Sequence, residues 1–190
     1  MQSIENTINC YEAGAVTRYH THPRFSQFAQ SDAAHSWGVT ALIIQLHPEP
    51  SRDLLIAGTM HDTGERFAGD LPAPVKRANP ELAAMHGALE AKLRSTTVHR
   101  GDYTISDEDN KWLKFADMLE CIMFASLTVP QALLTPPWLS LMDAIESFAE
   151  TLNPRPLLDV RSLMDAARDR QGFAELAGSF DYSGYASQRG

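Results

Sequence analysis

Apolar residues in this chain recur at the period of a helix and nowhere in a convincing run of strand alternation, and three of the resulting apolar faces carry ionisable side chains. Val39, Leu42, Ile43 and Leu46 form one face over residues 33–46, with Asp32 placed as its N-cap and Pro48 beyond its end. His35 lies four residues before Val39 and shares that inward stripe. Leu54, Leu55, Ala57 and Met60 form a second face over residues 51–62, with His61 and Asp62 in its last turn and Gly64 where the chain leaves. Ser106 and Asp109 have the spacing of a capping box and open a third helix with Trp112, Phe115, Leu119, Ile122 and Met123 on its apolar side. Asp117 falls in the middle of it.

Elsewhere the punctuation is proline and glycine. Gly69, Pro72, Pro74 and Pro80 exclude a regular helix over residues 67–80 and predict a rigid, turn-rich loop directly after the His-Asp pair. Helical patterning resumes over 81–94, and a polar segment follows over 96–105. Pro136 and Pro137 open a helix to about residue 152, Pro154 and Pro156 break it, and a last helix spans about 157–168. The Gly/Ser-rich tail after Gly178 reads as a frayed end. The expectation is an all-α chain forming one domain over residues 1–190, with its C-terminal helices within 137–170. At 190 residues and 44% hydrophobic content it is long enough to bury one sizeable core.

The formal charge of −8 argues against a broad electrostatic grip on a nucleic acid polymer, because that grip needs a basic face. A small anionic ligand needs only a few local cations and stays open. No stretch reaches the roughly 18 to 20 apolar residues of a membrane span, and no leader-like segment opens the chain, so a soluble cytoplasmic protein is expected. Cys10 and Cys121 are far apart and in no CxxC spacing, so both are expected as free thiols.

His35, His61, Asp62 and Asp117 therefore stand out as polar groups on or beside apolar faces. An ionised carboxylate in such a place is costly unless it is paired or coordinates a metal. Two imidazoles and two carboxylates make a hard-to-borderline ligand set for one divalent cation: Mn²⁺, Co²⁺, Fe²⁺, Zn²⁺ or Mg²⁺.

The order H…HD…D over three helices matches the HD superfamily, and the following loop brings the match closer. His61-Asp62-Thr63-Gly64-Glu65 continuing into Gly69-Asp70-Leu71-Pro72-Ala73-Pro74-Val75-Lys76 resembles the HDxxE…GDLPxPVK signature of that superfamily's 5′-deoxynucleotidase branch. Arg18-Tyr19 resembles the branch's Arg-Trp pair, and Lys114-Phe115-Ala116-Asp117 its closing Lys-x-x-Asp, so the resemblance covers residues 18–125. The same elements occur in related small triphosphohydrolases, including phage enzymes that destroy dATP.

The resemblance implies an HD-domain helical bundle around a central metal site, with His35, His61, Asp62 and Asp117 as ligands. It implies Glu65 as general base or acid on the attacking water, and Asp70 as a substrate contact that helps proton transfer to the leaving oxygen. Arg18, Lys76 and Lys114 would hold phosphate oxygens. Leu71, Pro72, Ala73 and Pro74 would line the substrate, and Tyr19, in place of Trp, would wall the sugar with an added phenol.

The implied reaction is hydrolysis of the α-phosphorus to 5′-oxygen bond of a deoxynucleotide. Three cations tilt the substrate toward a triphosphate, as in a dATP-type triphosphohydrolase, with a 5′-deoxynucleotidase acting on monophosphates as the alternative. More remote are a di-iron oxygenase on the same fold, for which His86 and His99 lack ligand-like spacing, and a non-catalytic HD module. Relatives of this size form dimers or larger rings such as hexamers. The apolar helix carrying Trp138, Leu139, Leu141, Met142, Ile145 and Phe148 reads either as a subunit interface or as core.

Overall fold

A computed structural model describes residues 4–98 and 103–169. Every regular element among them is helical: α1 (Ile4–Ala13), α2 (Asp32–Leu46), α3 (Arg52–Met60), α4 (Glu65–Ala68), α5 (Ala73–Ala78), α6 (Pro80–Thr97), α7 (Asp107–Thr128), α8 (Pro136–Ala149) and α9 (Val160–Arg168). The only extended pairing among the described residues is a lone antiparallel bridge between Thr17 and Ser31. His99 and the tail after Gly178 lie outside the described residues. No described helix is long and apolar enough to cross a membrane.

The cap of α2 is Ser31 and not Asp32. The carbonyls of Val16 and Gly14 take the amides of Asp32 and Ala33 at 2.9 and 3.1 Å, which sets Ser31 at the boundary, where its Oγ accepts from the amide of Ala34 at 3.2 Å. Asp32 thereby becomes the first helical residue, and its carboxylate is buried. Ser51 caps α3 in the same way, accepting from Leu54 at 3.0 Å. That helix ends at Met60, so His61 and Asp62 stand just past it, in a turn rather than on its last turn.

Gly64 has an ordinary helical φ of −69°, so conformational freedom is not why glycine sits there. A Cβ at this position would stand 2.3 Å from the carbonyl oxygen of Glu90. Glycine lets the turn after the His-Asp pair lie directly against the backbone of α6.

The proline-rich stretch is two short helices and not an irregular loop. Pro74 lies in the first turn of α5 and Pro80 at the start of α6, where a missing amide removes no intrahelical bond. The break falls at Gly69, with φ 76°. α6 also runs three residues past the expected end at Arg94, to Thr97. The helix α1 was not legible in the apolar pattern, while α8 is shorter and α9 starts later than the pattern predicts, the latter because Asp159 caps it through the amide of Arg161 at 3.1 Å.

α7 is the axis of the core. The Ser106–Asp109 capping box forms as expected, and Trp112, Phe115, Leu119 and Ile122 are fully buried against Val39 and Ile43 of α2 and Leu54 of α3. On the other side Met142 and Ile145 of α8 and Met164 of α9 close the same core, with Trp138, Leu141 and Phe148 packed against it. The apolar face of α8 therefore covers this chain's own core.

His47, just past α2, lies edge-on to Trp112 with centroids 4.6 Å apart, and its Nδ1 accepts from the amide of Glu49 at 3.0 Å. Burial lowers its pKa below the ordinary 6.5. Because the folded value lies below the unfolded one, the neutral ring stabilises the fold above about pH 6.5, and that stabilisation is lost as pH falls from there. Urea unfolding of His47→Gln should show a flatter acid-side loss of stability than the unsubstituted protein. Gly64→Ala should lower stability by about 2 kcal/mol or more, since backbone must move to admit the methyl. A thermal melt within error of the parent's would show that the turn is not packed as described.

Candidate metal centre

α2, the turn after α3, and α7 bring His35, His61, Asp62 and Asp117 to one place. The Nε2 atoms of His35 and His61 face each other at 3.2 Å. Asp62 Oδ2 lies 3.5 Å from the first and 3.3 Å from the second. Asp117 Oδ1 joins through His35 Nε2 at 3.2 Å. One donor atom from each of His35, His61 and Asp62 lies within 4.8 Å of the others, close enough to share a cation.

The other ring nitrogens decide what those faces present. His35 Nδ1 meets the carboxylate of Glu120 at 2.6 Å, and His61 Nδ1 meets the carbonyl of Gly58 at 2.9 Å. Both partners are pure acceptors, so each Nδ1 carries the proton and donates it. In neutral imidazoles the two Nε2 lone pairs then converge on each other and on two carboxylates. A cation between them removes that repulsion, and this is the arrangement found behind metal-bound histidines. Without a cation, a proton substitutes: burial disfavours charge on His35, yet hydrogen bonds to Asp117 and Glu120 outweigh it and raise the imidazole to about 9. Burial likewise pushes Asp117 up, but the His35 bond and the nearby positive charges win and hold it down to about 2.

Glu120 was not among the expected residues. It is buried, its second oxygen accepts from Gln30 Nε2 at 2.7 Å, and Gly38 makes room for it, since a Cβ there would stand 2.9 Å from Glu120 Cγ. The available signal was its place three residues after Asp117, on the same face of α7. Asp32 was also missed as a site residue, because it had been assigned to the cap.

Asp32, Asp62 and Glu65 form a second cluster whose ligand atoms lie within 4.8 Å of one another. Glu65 is buried. Burial first, then the charges of Asp62, Asp32 and Asp70, raises it to about 9. Burial and Asp62 raise Asp32 to about 7. Arg18 donates to Asp62 Oδ2 at 2.6 Å and stands 4.0 Å from Asp32. Burial opposes its charge, but Asp62 together with Cys121, Asp117 and Tyr19 outweighs it, and its pKa is raised.

The remaining expected residues are spread more widely. Tyr19, with φ 55°, stacks on Phe25 and Phe124 with centroids 5.1 and 5.5 Å apart. Burial first, and then the neighbouring Cys121, push its phenol up, and burial pushes the Cys121 thiol up to about 12. Lys76 is drawn to Glu90 on α6 at 3.7 Å, and Glu90 also pairs with His86 at 2.8 Å. Lys114 lies over the ring of Phe148 on α8, 5.6 Å from its centroid. Asp70, Leu71 and Pro72 are half-buried, while Ala73 and Pro74 are exposed at the start of α5. Cys10 and Cys121 are free thiols.

Compared with protein-family models, curated proteins and solved structures, the chain matches none.

Replacing the carboxylate behind His35 should weaken the centre without removing a ligand. Glu120→Gln is expected to lower affinity for Co²⁺ or Zn²⁺ by about 10- to 100-fold, read by competition with a chromophoric chelator. Unchanged affinity would remove Glu120 from the centre.

Proposed function

We propose that this chain is a metal-dependent phosphohydrolase of the HD type, cleaving the α-phosphorus to 5′-oxygen bond of deoxynucleotides. The observation that carries the reading is the convergence of two imidazole lone pairs and two carboxylates, with each histidine's tautomer set from behind by Glu120 and Gly58. A divalent cation held by His35, His61, Asp62 and Asp117 would polarise the phosphate and acidify a water. The donor set fits: imidazole nitrogen and carboxylate oxygen suit Mn²⁺, Co²⁺, Fe²⁺ and Zn²⁺.

The chain's own groups supply the rest. Arg18, beside Asp62, offers a guanidinium fork at the centre for phosphate oxygens. Glu65 is a buried carboxyl beside Asp62, and such a group can hold or pass on the proton of an attacking water. Asp70, whose charge acts on Glu65, is the nearby carboxylate for the leaving 5′-oxygen.

Two leaving groups remain. The three cations Arg18, Lys76 and Lys114 fit the triphosphate of a dATP-type substrate, releasing deoxynucleoside and triphosphate. The resting partners of the lysines, Glu90 and Phe148, favour a monophosphate, because a triphosphate requires both to turn away from them.

The test is incubation with Co²⁺ or Mn²⁺ and a panel of dNMPs, dNTPs and ribonucleotides, with phosphate and triphosphate resolved by chromatography. Consumption of deoxynucleotides is expected, and Asp117→Asn should reduce turnover by about 100-fold or more, the scale of losing one electrostatic group. If no nucleotide is consumed with any of the metals, the proposal fails.

A further inference from the structure

The carboxylates of Asp32 and Glu65 are not explained by the imidazole-lined centre. Asp32 is 3% exposed and Glu65 5%. Both oxygens of Asp32 and Oε2 of Glu65 are shielded from solvent and make no hydrogen bond. Arg18 approaches Asp32 no nearer than 4.0 Å, outside hydrogen-bond reach, because its guanidinium is committed to Asp62 at 2.6 Å. Buried carboxylate oxygens left in this way cost several kcal/mol when ionised, a cost relieved by taking up a proton or by meeting a cation. The two carboxylates also lie close together beside Asp62: one oxygen from each of Asp32, Asp62 and Glu65 lies within 4.8 Å of the others.

We propose that Asp32, Asp62 and Glu65 hold a second divalent cation, with Asp62 shared between it and the imidazole-lined centre. The sharing follows from the geometry, since Asp62 belongs to both ligand groups. The ligand chemistry separates the two positions. The first offers two imidazoles and selects borderline metals, whereas the second offers only carboxylate oxygens and selects hard cations such as Mg²⁺ or Mn²⁺.

A cleft of about 540 Å³ between α1, α2 and α3, with Trp37, Thr40 and Met60 among its lining residues, has Asp32 and Asp62 in its wall.

A second cation here deepens the phosphohydrolase reading. Two-metal hydrolytic sites use paired cations to stabilise the attacking and leaving oxygens of an in-line displacement, and a hard cation beside Arg18 adds positive charge for phosphate oxygens where the two lysines are engaged elsewhere. The inference rests on Asp62 being a ligand of the first cation, and it does not depend on which nucleotide is cleaved.

Full-length protein stripped with a chelator and reloaded with Mn²⁺ decides it. Bound manganese per chain is measured by atomic emission, and spin coupling by electron paramagnetic resonance. Two Mn²⁺ per chain with a coupled signal are expected, and added Mg²⁺ should displace the second equivalent before the first. Asp32→Asn and Glu65→Gln should each halve the stoichiometry and leave an uncoupled signal. Saturation of the unsubstituted protein at one Mn²⁺ per chain overturns the proposal, whatever the folding of the variants. So does retention of two coupled ions by both substituted proteins. Failure of the phosphohydrolase reading is distinct: it appears as two bound cations with no nucleotide consumed.

Discussion

Two imidazole edges held 3.2 Å apart, each with its far nitrogen committed to an acceptor, form the interaction on which this site depends. Glu120 and the Gly58 carbonyl turn the lone pairs of His35 and His61 inward, where they meet each other and the oxygens of Asp62 and Asp117. Like-signed groups are not held in such proximity without a positive charge among them. Burial opposes charge on His35, but its hydrogen bonds to Asp117 and Glu120 raise the imidazole to about 9, and Arg18 brings its guanidinium to Asp62. A divalent cation could be held by the same donor atoms.

Holding those groups in place requires stiffness, which the packing of α2, α3 and α7 supplies. Val39 and Ile43 on α2 and Phe115 and Leu119 on α7 are fully buried together, so His35 and Asp117 are carried on helices that cannot slide without opening the core. The turn bearing His61 and Asp62 is less regular, and it is fixed differently. Gly64 presses it against α6, and Arg94 of α6 donates to the carbonyl of His61 at 2.7 Å. α6 therefore positions the His-Asp pair without contributing a ligand.

The excess of 24 acidic over 16 basic residues includes the carboxylates of Asp32, Asp62, Glu65, Asp117 and Glu120 gathered around His35 and Arg18. Arg18 is the side-chain cation placed among them. Lys76 and Lys114 remain on neighbouring elements, one paired with Glu90 and the other against Phe148.

The helical class, the inward faces of α2, α3 and α7, the capping box at Ser106 and the grouping of His35, His61, Asp62 and Asp117 were all legible in the sequence, because periodicity and cap chemistry act over a few residues. Tertiary structure decided what depends on distant neighbours. Ser31 rather than Asp32 caps α2 because the Val16 and Gly14 carbonyls come from a separate segment, and that choice sends Asp32 into the site. Pro74 and Pro80 start helices because α5 finds α6 to pack on. Glu120 became part of the centre only when α7 met α2, and α8 proved to be core only when α7 lay beneath it. Local pattern determined which residues were turned inward. What each of them met there, and so which carboxylate became cap, ligand or partner, was determined by contacts between parts of the chain that periodicity cannot relate.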